Sequence, residues 1–196
     1  MNRVIFILPL MFNLIIFQHA TASDFESMPP TYPDHDTLGS NNNNPSIEKA
    51  CNSALHKDSC IKTLKSQPGS GNADIKTLAF MSLNVTKTYG KTVADWVAQK
   101  VEEPELDPEI EQALTDCSDQ YTDAMAQLED SLVAFFANAL NDVKTWMSTA
   151  MTNANTCEEG LKGANAGDVM GNKNAIFAQY CANTLAVVNE LAKQKL

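Results

Sequence analysis

The residues of this chain that could do chemistry are five cysteines and one run of carboxylates. Cys51 and Cys60 flank His56 in "ACNSALHKDSC", which places three potential metal ligands close together. A structural zinc site needs a fourth ligand, and none is obvious nearby. The other chemistry open to two close cysteines is a disulfide, which would tie two short helices into a hairpin, with Asp58 and Ser59 suited to start the second. "DCSDQYTDAMAQLEDSL", residues 116–132, sets Asp116, Asp119, Asp123, Glu129 and Asp130 around Cys117 and Tyr121. A carboxylate pair can act as general acid and base, but the local sequence suggests no cleft and no desolvating aromatic cluster to separate their proton affinities. Histidine is scarce: of His19, His35 and His56, only His56 falls in the part of the chain expected to fold. A hydrolytic triad and a histidine-rich metal centre are therefore not expected. We expect no catalytic residue, no metal and no cofactor.

The elements that must position these residues begin after an N-terminal segment of another kind. Met1-Asn2-Arg3 precedes an apolar stretch from Val4 to Phe17, and the small residues Ala20 and Ala22 follow. This is the layout of a secretory leader, so residues 1–22 are expected to be cleaved. The apolar stretch is shorter than the ~20 residues of a spanning helix, and no later segment is apolar enough to span. Residues 23–45 are rich in Pro, Ser, Thr, Asp and Asn and read as a flexible arm. Residues 46–196 remain as one domain, expected to act extracellularly. The net charge of the whole chain is −10. Loss of Arg3 with the leader leaves 13 basic against 24 acidic residues, or −11. Nucleic acids and acidic polysaccharides are poor partners for such a chain, and a basic protein is a better one.

Apolar residues recur at helical spacing in four segments, which predicts an all-α fold. The first runs from about Ala73 to Lys100, with Ile75, Leu78, Val85, Tyr89, Val93 and Trp96 facing one way. The second starts at Asp107-Pro108, a cap followed by a first-turn proline, and carries the stripe Leu114, Cys117, Tyr121, Ala124, Leu128, Ser131 and Phe135. The third carries Val143, Met147, Ala150, Ala154, Cys157 and Leu161; the fourth, residues 173–193, carries Phe177, Cys181, Thr184, Val188 and Leu191. Long helices with one stripe each predict an antiparallel up-and-down four-helix bundle over residues 73–193, with an N-terminal hairpin at 46–67. Trp96, Trp146 and the methionines read as core. "ANALND", residues 137–142, reads as the turn between the second and third helices, and Cys117 and Cys157 stand about equally far on either side of it. They are expected to pair, closing a loop worth roughly 4 kcal/mol. Cys181 is left as a buried free thiol. Asp116, Asp119, Asp123 and Asp130 point away from the stripe of the second helix as an acidic ridge.

These residues resemble the plant invertase and pectin methylesterase inhibitors, from Ile47 to Leu191: the cysteine pair in "ACNSALHKDSC", then "ALTDCSDQYTDAMAQLEDSL", "VKTWMSTAMTNANTCEEGL" and "YCANTLAVVNEL". The resemblance implies the same bundle and hairpin, the pairings Cys51–Cys60 and Cys117–Cys157, and a non-catalytic inhibitor of a carbohydrate-active enzyme of the cell wall or vacuole. The best-known invertase inhibitors carry Pro-Lys-Phe between the second and third bundle helices, where this chain reads "FFANALNDVK". "DVKTWMSTAMTNANTCEEG" is closer to the esterase inhibitors, so the expected partner is a pectin methylesterase, with an acid invertase as the alternative. By position relative to the bundle cysteines, the implied partner contacts are Asp119, Asp123, Thr156 and Glu159. Ala126 stands where the esterase inhibitors often have an acid. The free protein is expected to be a monomer of the apoplast. A non-inhibitory cell-wall protein is the reading of another class, and the negative charge argues against its binding acidic pectin directly. Asn84-Val85-Thr86 is a glycosylation sequon, whereas Asn44-Pro45-Ser46 is blocked by its proline.

Overall fold

A computed structural model describes residues 44–194. The expected leader at residues 1–22 and nearly all of the expected arm lie outside the described residues. Six helices follow one another: α1 (Pro45–Ala50), α2 (Lys57–Lys65), α3 (Ile75–Val101), α4 (Pro108–Phe136), α5 (Leu140–Gly163) and α6 (Lys173–Lys193), with a single 3₁₀ turn at Ser70–Asn72. The last four form the bundle. Each packs against its neighbour in sequence, and α6 closes against α3, so the α4–α5 and α3–α6 seams lie on opposite sides. The α1–α2 hairpin packs on α3 and α6. Among the described residues no helix is long and apolar enough to cross a membrane.

Local chemistry explains where the helices start and stop. Asp74 accepts from the Thr77 amide at 2.7 Å to cap α3, and its carboxyl is held below the ordinary carboxylate range chiefly by its hydrogen bonds with Thr77. Asp107 caps α4 ahead of Pro108. α4 and α5 both end on an asparagine in the left-handed conformation, Asn138 at φ 62° and Asn165 at φ 55°. After each, an amide reaches back to the last turn, Ala139 to the Ala134 carbonyl at 2.9 Å and Ala166 to that of Leu161 at 2.8 Å. Asparagine serves in place of glycine because its short polar side chain tolerates positive φ.

The stripes of α4, α5 and α6 are buried at every position expected. Both disulfides form, Cys51–Cys60 within the hairpin and Cys117–Cys157 across α4 and α5. Cys181 carries no bridge and is fully buried, and that burial pushes its thiol up.

Several expectations need correction. α3 buries Ile75, Leu78 and Val93 as expected, but its inward face also takes in Leu83, Thr86, Gly90 and Val97, while Val85, Tyr89 and Trp96 are only half-buried. The reason is close packing at Gly90, where an added Cβ would lie 2.7 Å from the Phe177 ring. Trp96 is covered instead by the Lys173 ammonium, 4.0 Å from the ring centre. Trp96 still packs against the core, whereas Trp146 does not belong to it; Trp146 is 37 % exposed, beside the buried Met147. The α4–α5 turn is shorter than residues 137–142, because Leu140 already begins α5. α2 starts at Lys57, with no side-chain cap, instead of at Asp58 or Ser59. Asn44 and Pro45, assigned to the arm, belong to the fold. Pro45 opens α1, and buried Asn44 accepts from the Ser46 amide while donating to the Ser70 and Ala73 carbonyls, both at 2.8 Å.

Candidate functional site

α4 carries seven carboxylates, Glu109, Glu111, Asp116, Asp119, Asp123, Glu129 and Asp130, and no basic residue. Most sit off the buried stripe because the stripe recurs every three to four residues and leaves the rest of the helix to solvent. Glu129 pairs with Lys87 of α3 at 3.3 Å, and Asp116 accepts from the Gln112 amide at 2.8 Å. Asp119, Asp123 and Asp130 take part in no ion pair among the described residues. The ridge is therefore uncompensated where it is most exposed.

α5 supplies the other wall, and it differs in kind. From Thr145 to Cys157 the helix has no charged residue. The hydroxyls of Thr145, Thr149, Thr152 and Thr156 each donate to the carbonyl four residues earlier, at 3.0–3.1 Å. Their hydrogens are thereby used within the helix, and what they offer outward is oxygen lone pairs and methyl groups. The carboxylates of α4 are acceptors only. The α4–α5 face is thus rich in hydrogen-bond acceptors, negative along one edge and neutral along the other.

Between the helices runs a groove of about 250 Å³, lined by Asp116, Asp119, Gln120, Thr156, Gly160 and the Cys157 end of the bridge, with Ala113. The structure brings Asp119 and Thr156 together there. Asp123 and Glu159 are exposed and do not line it: Asp123 lies one turn beyond Asp119, and Glu159 three residues past Thr156. Exposed Ala126 continues the ridge without a charge. Beneath the groove, buried Tyr121 donates to Asn174 Oδ1 at 2.7 Å, and Asn174 Nδ2 donates to Glu158 at 2.8 Å. Glu158 also meets Lys162 at 3.2 Å. Burial raises the affinity of the Tyr121 phenol for its proton, so it remains a donor in this chain of bonds.

Sequence reasoning missed Gln120, Gly160 and Asn174. Gln120 and Gly160 carry no charge or motif to mark them. Asn174, at the start of the fourth segment, has the composition of a cap, and its contact with Tyr121 exists only across the bundle. Among the described residues no cluster of three or more His, Cys, Asp or Glu side chains could hold a metal ion. The groove carboxylates Asp116 and Asp119 are exposed and so not desolvated, and the arrangement fits recognition of another surface better than turnover.

Comparison with known proteins agrees with this reading. A family model described as plant invertase/pectin methylesterase inhibitor matches residues 45–187. A protein of Platanus orientalis, provisionally named an invertase inhibitor, is 26 % identical over 138 residues, covering 70 % of this chain and 81 % of its own. Pectinesterase inhibitor 11 of Arabidopsis thaliana is 29 % identical over 167 residues, covering 76 % and 81 %. Among solved structures, a mutant form of a pectin methylesterase inhibitor from Arabidopsis superposes with a TM-score of 0.64 at 22 % identity, over 74 % of this chain and 95 % of that one, which shows the shared bundle.

Proposed function

This chain belongs to the plant invertase/pectin methylesterase inhibitor family, and from that premise we propose that its target is a pectin methylesterase, docked on the α4–α5 face. Members of this family are inhibitors and not enzymes. The observation that carries the choice of face is its one-sided chemistry. Asp119, which shares the groove with Thr156, and exposed Asp123 one turn beyond it take part in no ion pair among the described residues. The α5 hydroxyls add only oxygen lone pairs, which leaves acceptors with few donors. A partner surface that fits must supply donors and positive charge, as lysine and arginine side chains do. An enzyme whose groove holds an acidic polymer needs such a surface around its mouth. The inhibitor would cover that mouth and keep the polymer out, burying roughly 800 Å² on each partner. Charge complementarity would mainly speed association and select the partner.

An acid invertase is the second reading. It is favoured by Phe136, 73 % exposed at the α4–α5 turn, the place where invertase inhibitors carry Pro-Lys-Phe. In either reading the protein enters the secretory route, loses residues 1–22 and acts as a monomer in the apoplast. The test is titration of the oxidised protein into a plant pectin methylesterase and, separately, an acid invertase at mildly acidic pH. Loss of esterase activity alone is expected; loss of invertase activity alone would move the target to the second reading, and loss of neither would contradict both.

A further inference from the structure

On the opposite side of the bundle, a groove of about 340 Å³ runs along the α3–α6 seam from the end of the hairpin. Its walls are Gln67, Asn84, Thr88, Tyr89, Thr92 and Tyr180, with Val85. No charged residue lines it. The Tyr89 and Tyr180 rings meet edge to face, with centres 5.2 Å apart. We propose that this groove seats the first sugar of an N-linked glycan carried by Asn84.

The chemistry of the walls suits a neutral sugar. A pyranose presents a face of C–H bonds and a rim of hydroxyls, and it is matched by an aromatic surface bordered by uncharged amide and hydroxyl groups. An anionic ligand would find no cation here. Asn84 opens the sequon Asn84-Val85-Thr86 and is half-buried at the rim. Its side chain takes no part in the side-chain hydrogen bonds among the described residues, so attachment there breaks none of them. Tyr89 follows five residues later, about 7.5 Å along the helix axis, which is within reach of a sugar linked to the Asn84 amide.

Thr86 sets the order of events. Its side chain is buried, donating to the Ser82 carbonyl at 3.0 Å and meeting the Thr184 hydroxyl at 2.9 Å. In the folded bundle it cannot enter a transferase site, so the transfer precedes packing of α3 against α6. The donor is an oligosaccharide linked to a lipid diphosphate. The Asn84 amide nitrogen forms a bond to the sugar C1 and loses one proton; the bond from C1 to the diphosphate oxygen breaks, and the lipid diphosphate leaves. The glycan then stands on the seam opposite α4–α5 and leaves the proposed docking face clear.

The inference rests on the secretion part of the proposed function, and the experiment separates the two. The chain is produced in a eukaryotic secretory host, once with residues 1–22 and once with a general secretory leader in their place. The wild type, Asn84→Gln, Tyr180→Ser and the double variant are compared by intact mass, glycopeptide mapping and Tm. A glycan on Asn84 is expected, with Asn84→Gln lowering Tm by about 2–5 °C in the wild type and by clearly less in the Tyr180→Ser background. A bare Asn84 in protein secreted with the general leader would overturn the site. Glycan loss that shifts Tm equally in both backgrounds would overturn the seat on Tyr180. Secretion with the general leader only would count against the leader and leave the glycan to be read from that material. A bare Asn84 together with saturable binding of free chitobiose would reassign the groove to a free saccharide.

Discussion

The α4–α5 and α3–α6 seams solve one packing problem by different means. Across the first runs a covalent bridge, Cys117–Cys157, over a buried apolar stripe, and the outward face is left acidic. The second has no bridge. Its helices approach closely at Gly90 and are joined by a buried hydroxyl cluster in which Thr184 meets Ser82 at 2.7 Å and Thr86 at 2.9 Å. The hairpin covers part of its outer side. The contrast has a physical sense. Asp119 and Asp123 sit four residues apart on one helix, a spacing at which like charges cost roughly a few tenths of a kcal/mol. The charged face is tied covalently, whereas the other seam is held by close packing and by hydroxyl groups that bond one another.

The largest expected effect comes from cutting the bridge. Replacing Cys117 and Cys157 together by serine should lower stability by about 4 kcal/mol, against about 2.5 kcal/mol for Cys51 and Cys60, whose loop is shorter. Urea unfolding of the two variants reads this directly, and equal losses would break the contrast. On the other seam, Gly90→Ala should cost about 1–3 kcal/mol by overpacking, partly offset by about 1 kcal/mol of helix propensity. A net gain in Tm would show that the Phe177 ring can yield. Thr184→Val should cost about 1–2 kcal/mol, because it removes the hydroxyl that Ser82 and Thr86 share.

Glu190 fastens the hairpin to α6 on the same side, accepting from Lys193 at 2.6 Å and from Ser53 at 3.1 Å. The Lys193 hydrogen bond, aided by Ser53, outweighs burial and holds its carboxyl below the ordinary 4.5. A lowered folded value means stability that is present above the unfolded value and lost as pH falls through the folded one. Glu190→Gln should therefore lose roughly a few tenths to 1 kcal/mol at neutral pH and little at pH values below the folded range, as thermal unfolding across a pH series would show.

Much of the α4–α5 seam was legible in the sequence, and less of the α3–α6 seam. The stripes of α4 and α5 are built, apart from Ser131, from Leu, Val, Met, Phe, Tyr, Ala and Cys at regular helical spacing, a pattern that periodicity finds without knowledge of the neighbour. α3 misled because its inward face includes Thr86 and Gly90, which a hydrophobic pattern does not count, while its aromatic residues Tyr89 and Trp96 rest on the flank. What buries Thr86 is Thr184, far along the chain, and what requires Gly90 is Phe177; neither is a local fact. Asn44 was hidden in the same way, since its partners are carbonyls of the turn at Ser70–Ala73. At the candidate site the charge was legible, because acids off a stripe must face water. The threonine ladder of α5 was not, because only coordinates show that its hydroxyl hydrogens are already used.

The measurement that bears most directly on the docking face is inhibition of a pectin methylesterase by the wild type and by Asp119→Asn/Asp123→Asn, each at low and high salt. The substitutions should leave stability within about 0.5 kcal/mol of the wild type, as surface changes do. At low salt the neutralised protein should inhibit roughly tenfold or more less strongly, and the gap should narrow as salt screens the wild-type charge. Equal inhibition by both proteins at both salt concentrations would contradict the account.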